Sequence, residues 1–470
     1  MIKQLTINIL YILFLFIIIP SCEKNANNHL KEYVYKHDPA FKYEIADIYS
    51  GDGWKEYYIK MVSGTWLTEK EVNQTEWWHW ITIVVPNNVL ETEALLMIGG
   101  GSSKDQEPRK ASEILINTAL ETKSIVAEIS NIPFQPLNYA DDSKNDRYED
   151  DLIAYGWKKF LDGGARDEDI PWLARLPMTR AVVRGMDVIQ KITGDFNITV
   201  DEFVVAGASK RGWTTWTTAI VDDRVVAIIP IVIDLLNVIP SFDHHWRCYG
   251  KWSSAIDDYV NQGITEWMGS EEYNRLLELV EPYSFIDQLD TPKFLINATG
   301  DEFFVTDSWK FYWDSLVGEK YLQYVPNGNH GLTGTYNPES LIAFYHAIIT
   351  KSDIPEFNWH VSNDSIYLNV NSDVNYTIKS WETINENSRD FRVPVIGKTW
   401  KSNNINTTSN NSYYLHVSKP ETGYKAGLLE ITIESDTNIP FVFTTGTLVS
   451  PNSYPFMPYE PRVPKGKRIK

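Results

Sequence analysis

The chain holds 470 residues, 43% of them hydrophobic and 22% charged; that length asks for more than one domain of about 100–200 residues, and that composition can fill packed cores. With 62 Asp and Glu against 43 Lys and Arg the net charge is −19, which excludes a nonspecific nucleic-acid binder, because such a protein must cover phosphates with basic surface. Two cysteines, Cys22 and Cys248, exclude a disulfide framework.

At the N-terminus Lys3 precedes the apolar run Leu5–Ile19, then Pro20-Ser21-Cys22. A charged start and so short a run read as a secretory signal, since a membrane span needs about 20 apolar residues. A small residue before cysteine resembles a bacterial lipobox. Residues 1–21 are therefore expected to be removed and Cys22 to carry lipid, giving an exported, membrane-anchored lipoprotein. A plain signal peptide cut nearby, and a secreted product, is the alternative. Residues 22–32 read as a polar tether, and Cys248 is left as a buried, inert thiol.

Residues 33–90 read as β-rich: Tyr57–Val62 and His79–Val85 are strand-like and end at Pro86-Asn87-Asn88. From residue 94 strands and helices alternate. The apolar run Ala94–Ile98 ends at Gly99-Gly100-Gly101, a helix is expected over about 107–122, and Ser124–Ile129 is the next strand. An acidic helix follows near 148–161. Met178, Ala181, Val182, Gly185, Met186, Ile189 and Ile192 recur at helical spacing behind Pro177. Phe203–Ala206 is a buried-type strand, and 210–221 a helix. Val225–Ile233 and Phe294–Ile296 are further strands, 306–317 a helix, Tyr321–Val325 a strand and 338–350 a helix. This alternation predicts an α/β fold, a mostly parallel sheet covered by helices. The stretch 234–290 breaks the rhythm and reads as an insertion, the natural place for a lid.

Beyond Pro355 the hydrophobic period becomes 2, as in Phe357/Trp359/Val361 and Leu429/Ile431/Ile433. Six or seven short strands predict a β-sandwich. The expected division is thus an α/β domain over 33–352 with its insertion, a β-sandwich over 353–450, and a Pro-rich tail over 451–470 ending in a mobile basic tip.

Chemistry is carried first by Gly207-Ala208-Ser209, between a buried strand and a helix. A serine there is held on a sharp turn at the C-terminal edge of the sheet. The usual pattern G-x-S-x-G would put glycine at 211; this chain has Arg211, with Gly212 one step later. A serine that merely caps a helix fits the same residues. The later order strengthens the nucleophile: Asp301 follows one strand and His330 the next, so Ser, Asp and His all fall at strand ends that face one crevice. With only nine histidines in the chain, that slot is not cheaply filled by chance. Ser209 would attack an acyl carbon, His330 would carry its proton, and Asp301 would orient the imidazole. An oxyanion hole is expected from the backbone N–H of Lys210 and from Gly100 or Gly101.

Other features weigh less. Asp234 is an alternative acid. His244-His245, read as part of a strand, would point to opposite faces and find no third ligand, so no metal is expected, nor any cofactor. Trp77-Trp78-His79-Trp80 reads as packing. Trp246, Tyr249 and Trp252 of the insertion are candidates for a substrate-facing wall. Asp141-Asp142, Asp146 and Glu149-Asp150-Asp151 read as a solvated acidic face.

Thr65–Glu69, Leu176–Ala181, Gly207–Trp216, Pro230–Asp234, Gly300–Phe304 and Asn329–Gly331 together resemble the PhoPQ-activated pathogenicity-related protein family, over about residues 30–450. The resemblance implies an α/β-hydrolase fold, related in arrangement to serine peptidases and esterases, with an added C-terminal β region. It also makes Lys210-Arg211 a family trait. The expected function is an exported serine hydrolase acting on a peptide or ester substrate. Some relatives look like secreted growth-repressing signals, so a signalling or binding protein on a hydrolase scaffold is the alternative.

Overall fold

Nine strands form the central sheet: β1 Lys42–Ser50, β2 Trp54–Thr65, β3 Glu76–Pro86, β4 Glu93–Ile98, β5 Ile125–Ile129, β6 Glu202–Ala208, β7 Val225–Ile231, β8 Lys293–Ala298 and β9 Lys320–Val325. They lie in the order β1-β2-β3-β5-β4-β6-β7-β8-β9. The first three strands and the β3–β5 pair are antiparallel, and every pairing from β5 to β9 is parallel. The chain enters as a meander and then winds outward through helical crossovers, which is the α/β-hydrolase arrangement. The computed structural model describes residues 26–336, 338–371, 374–406, 410–435 and 439–469. The expected signal and Cys22 lie outside the described residues.

The principal helices are α1 Ala26–Tyr35, α2 Glu113–Thr122, α3 Glu149–Asp162, α4 Arg175–Asp195, α5 Lys210–Val221, α6 Val238–Tyr249, α7 Asp257–Asn261, α8 Glu271–Val280 and α9 Glu339–Thr350. Alternation along the strands sorts side chains between two cores. Val205 joins Ile81, Leu96, Ala181, Ile189 and Trp216 on one face. Val204 and Ala206 join Leu95, Ile229, Leu115 and Phe344 on the other. Sheet strands buried on both sides explain why the sequence there reads as short continuous apolar runs.

Two expectations change here. Residues 26–32, expected as tether, belong to α1, whose Leu30 and Val34 are one turn apart and fully buried against α4 and α8. The helix expected over 306–317 is two single-turn 3-10 segments, Ser308–Phe311 and Trp313–Ser315. Its side chains are claimed by partners on different sides: Trp309 Nε1 donates to Thr447 O (2.8 Å) and Tyr312 donates to Asp234 (2.6 Å).

The C-terminal strands are β10 Phe357–Ser362, β11 Ser365–Val370, β12 Tyr376–Asn385, β13 Lys401–Ile405, β14 Ser412–His416, β15 Tyr424–Ile433, β16 Phe441–Thr444 and β17 Leu448–Ser450. They make a three-stranded sheet, β10-β11-β14, and a larger one, β13-β12-β15-β16, to which β17 adds. As far as Ile469 the tail is anchored, not a mobile tip. Lys465 N–H donates to Glu266 O (2.9 Å), Arg468 Nη1 to Met268 O (2.6 Å), and Lys467 pairs with Glu271 (2.7 Å). Its Lys467 and Arg468 side chains are engaged by the insertion. Among the described residues no helix is long and apolar enough to cross a membrane.

Candidate active site

Ser209 is the single residue between β6 and α5, with φ 57° and ψ −125°. Such a conformation costs a non-glycine residue of order 1–3 kcal/mol and must be imposed by its surroundings. Ser209 N–H donates to Ile231 O (2.8 Å), and its carbonyl accepts from Trp213 N–H (3.1 Å). Strand and helix cross closely: a Cβ on Gly207 would come within 2.7 Å of Arg211 O, and one on Gly212 within 2.9 Å of Gly207 O. Gly212 therefore supplies the close approach that the usual pattern assigns to position 211. The Arg211 side chain points away, donating from Nε to Ile132 O (2.7 Å) and from Nη2 to Glu149 Oε1 (2.5 Å).

The parallel sheet brings the three candidate side chains together. His330 Nε2 lies 2.9 Å from Ser209 Oγ, and Nδ1 lies 2.9 and 3.0 Å from the two carboxylate oxygens of Asp301. With Nδ1–H donated to Asp301, Nε2 presents its lone pair to the serine hydroxyl, as a general base requires. Asp301 is buried and accepts Phe303 N–H (2.7 Å). His330 N–H donates to Glu302 Oε2 (2.7 Å), and its ring packs on Phe303 at 4.2 Å. The C-terminal region braces both loops: Val393 N–H donates to Gly300 O (2.9 Å), and Asn327 exchanges hydrogen bonds with the Trp400 backbone (2.9 and 3.0 Å). Asp234, the alternative acid, instead accepts the hydroxyls of Tyr312 (2.6 Å) and Tyr324. Burial pushes its carboxyl up to about 7.

Lys210 opens α5, where first-turn N–H groups find no acceptor within the helix. The glycine loop after β4 is fixed by its carbonyls: Gly99 accepts from Ile132 N–H (3.2 Å), Gly100 from Asn131 N–H (3.0 Å) and Gly101 from Gln135 Nε2 (2.8 Å). A Cβ on Gly100 would lie 2.8 Å from Arg211 Nη2. Gly100 thus leans on the Arg211 guanidinium and Gly101 on the Asn131 backbone, and both lie outside the lining of the pocket that Ser209 and Lys210 share.

That pocket is mostly apolar, walled by Trp157, Trp213, Ile233, Leu235, Phe303 and Phe304. The insertion closes it with Val238, Phe242, Ile256 and Tyr259. Trp246, Tyr249 and Trp252 are not the wall that the sequence suggested. α6 directs Val238 and Phe242, one turn apart, at the pocket. Trp246, a further turn along, packs on Trp252 (5.1 Å) and on Tyr459 of the tail (4.8 Å), and Tyr249 lies under Arg392 at 4.2 Å. They back the wall rather than face the pocket. His244 and His245 lie on this helix, not on a strand; His245 Nε2 accepts Ser253 N–H (3.0 Å).

One group of charges went unread in the sequence. Lys210 Nζ is 2.8 Å from both Glu149 Oε2 and Asp150 Oδ2, and Tyr259 donates to Asp150 Oδ1 (3.0 Å). Burial pushes the Glu149 carboxyl up, but Arg211 and Lys210 outweigh it and hold the group at about 2. The acidic run is therefore split: Asp141 and Asp146 are on the surface, while Glu149, Asp150 and Asp151 turn inward onto Lys210, Arg211 and Arg147. The adjacent cations Lys210-Arg211 at a helix start were the available signal.

The family described as PhoPQ-activated pathogenicity-related protein matches residues 30–392. The chain is 34% identical over 455 residues to autocrine proliferation repressor protein A of Dictyostelium discoideum, covering 91% of each. Among solved structures it is similar to an acetyl xylan esterase from Paenibacillus sp. R4, at 14% identity and a TM-score of 0.47 over 68% of this chain and 92% of that one. It is also similar to acetyl xylan esterase 1 from Thermoanaerobacterium sp. JW/SL YS485, at 9% identity and a TM-score of 0.43 over 69% and 92%.

Proposed function

The chain belongs to the PhoPQ-activated pathogenicity-related protein family, and on that premise we propose that it is an exported serine hydrolase, held to a membrane through Cys22, that cleaves an ester or peptide acyl bond. The observation that carries this reading is a serine at φ 57° whose Oγ lies 2.9 Å from a histidine that is itself 2.9 Å from a buried aspartate. In the first step Oγ bonds to the acyl carbon while its proton passes to His330 Nε2. The bond to the leaving group then breaks, and the leaving group takes that proton. Water, deprotonated by the same nitrogen, attacks the acyl carbon; the bond to Oγ breaks, Oγ takes the proton back from Nε2, and the acid is released. Asp301 stabilises the imidazolium, and the Lys210 N–H faces the developing oxyanion.

The experiment is hydrolysis of short acyl esters and of peptide libraries by wild type and Ser209→Ala, with circular dichroism as the control for folding. The expected loss is about a thousandfold or more. Turnover that survives Ser209→Ala overturns the assignment. A second reading, a signalling or binding protein on the same scaffold, is favoured by the name of the Dictyostelium relative, an autocrine proliferation repressor. Growth repression that Ser209→Ala leaves intact would support it.

A further inference from the structure

Arg175 opens α4 and lies on the same pocket as Ser209. It is 3% exposed, too deep for water to neutralise its charge. Its Nη1 donates to Lys210 O (2.8 Å), its guanidinium covers the Trp213 ring at 4.5 Å, and its Nε has no hydrogen-bond partner. Among the described residues it forms no ion pair within 4.0 Å, whereas Lys210 and Arg211 both do.

The nearby carboxylates are already committed. Asp150 takes Lys210 Nζ on one oxygen and the Tyr259 hydroxyl on the other. Glu149 takes Lys210 and Arg211. Of the three cations at this end of the pocket, Arg175 is the one with no carboxylate in contact. Burial, with a smaller push from the Arg211 charge, lowers the affinity of its guanidinium for the proton despite Tyr259 and Asp150 nearby. A buried charge without a counter-ion is expensive to keep. Within the lining only the Tyr259 hydroxyl and the more distant Asp150 charge offset part of that cost, and neither forms an ion pair with Arg175 within 4.0 Å.

We propose that Arg175 receives a carboxylate carried on the acyl part of the substrate, so that the pocket selects a short apolar acyl chain ending in an acid. The acyl carbon would lie at Ser209 and the carboxylate at the guanidinium. A planar fork suits a carboxylate better than any neutral group. A pocket walled by Trp157, Trp213, Phe242 and Tyr259 suits a short chain rather than a polymer. The orientation rests on the hydrolase reading, but the anion site does not.

The test separates the two. Ser209→Ala protein is titrated by calorimetry with monomethyl glutarate, its neutral dimethyl ester and the cationic methyl 4-aminobutyrate. The half ester should bind at least about tenfold more tightly than either, the gain expected of one charge-assisted pair. Arg175→Met should erase the preference, and Arg175→Lys should keep part of it. Equal binding of the three, or tighter binding of the cation, overturns the proposal. That comparison needs only the Ser209→Ala protein, so it decides the matter even if Arg175→Met does not fold. Tight, Arg175-dependent binding with no turnover of the half ester by wild type would sink the hydrolase reading and leave the anion site standing. Faster turnover of the diester than of the half ester would do the reverse.

Discussion

Ser209, His330 and Asp301 have a counterpart elsewhere in the fold, where Cys248 Sγ lies 3.6 Å from His244 Nδ1 and His244 Nε2 lies 2.8 Å from Asp307. The same kinds of group stand in the same order, but their settings are opposite. Ser209 sits on a strained turn beside a pocket. Cys248 and His244 are each 1% exposed on one helix. Arg389 donates to Cys248 Sγ (2.8 Å) and to Asp307 (2.7 Å), and the Tyr454 hydroxyl occupies His244 Nδ1 (2.9 Å). Burial pushes the thiol up to about 12 and the imidazole down to about 4. An activated cysteine would need the thiol moved the other way. The lesson is that three matching side chains make a clamp or a catalyst according to access and backbone presentation. The buried set ties the insertion, the β8–β9 connection, the C-terminal region and the tail together.

The largest expected effect breaks the comparison at its centre. Ser209→Ala should remove hydrolysis by about a thousandfold or more, while Cys248→Ala leaves kcat/KM within a few-fold. A steady-state assay of the two variants checks this, and a Cys248→Ala enzyme as dead as Ser209→Ala would erase the distinction. Next in size, Arg389→Met should cost about 3–5 kcal/mol of stability by leaving Asp307 with less than its full set of partners in the interior. Urea unfolding measures the loss. The fraction that remains folded should still turn over ester.

A smaller effect concerns His245, whose imidazole is pushed down to about 3 by burial and by the nearby charges of Arg392 and His244. The folded state keeps this ring neutral where the unfolded chain, near the ordinary value of about 6.5, takes a proton. Its contribution is therefore whole above about 6.5 and is lost as pH falls toward 3, by about 1.4 kcal/mol per unit. His245→Gln keeps an acceptor for Ser253 N–H but cannot titrate. Its stability should fall less steeply than that of wild type between pH 6.5 and 4.5, and parallel curves would contradict the assignment. The smallest expected effect is at the tail. Tyr459→Ala removes two aromatic contacts at 4.8 Å, with Trp246 and Trp252, each worth about 0.5–1.5 kcal/mol. The melting temperature should drop by a few degrees.

What the sequence made legible follows from range. Short apolar runs and periodicity located β4 to β9 because each strand is buried on both faces by local composition. Ser209, Asp301 and His330 could be read because a parallel sheet places the ends of successive strands side by side. Arg175, Asp150 and Tyr259 could not, since they come from three separate helices and nothing in their own neighbourhoods marks them. The acidic run at 141–151 looked uniform because the cations that divide it, Lys210 and Arg211, lie some sixty residues away, as the 62-residue separation of Glu149 and Arg211 shows. The aromatic wall was misplaced by one helical turn, from Phe242 to Trp246, because composition identifies an aromatic helix but not which turn faces a cavity. Arg389 was invisible for the same reason as Asp150: its partners, Cys248 and Asp307, come from the distant insertion and the β8–β9 connection.

The central claim is tested most directly by treating folded protein with an alkyl fluorophosphonate and mapping the adduct by intact-mass and peptide mass spectrometry. The account predicts a single phosphonyl group on Ser209, absent from Ser209→Ala and unaffected by Cys248→Ala. Folded protein that stays unmodified at Ser209, or that carries the label elsewhere, would contradict it.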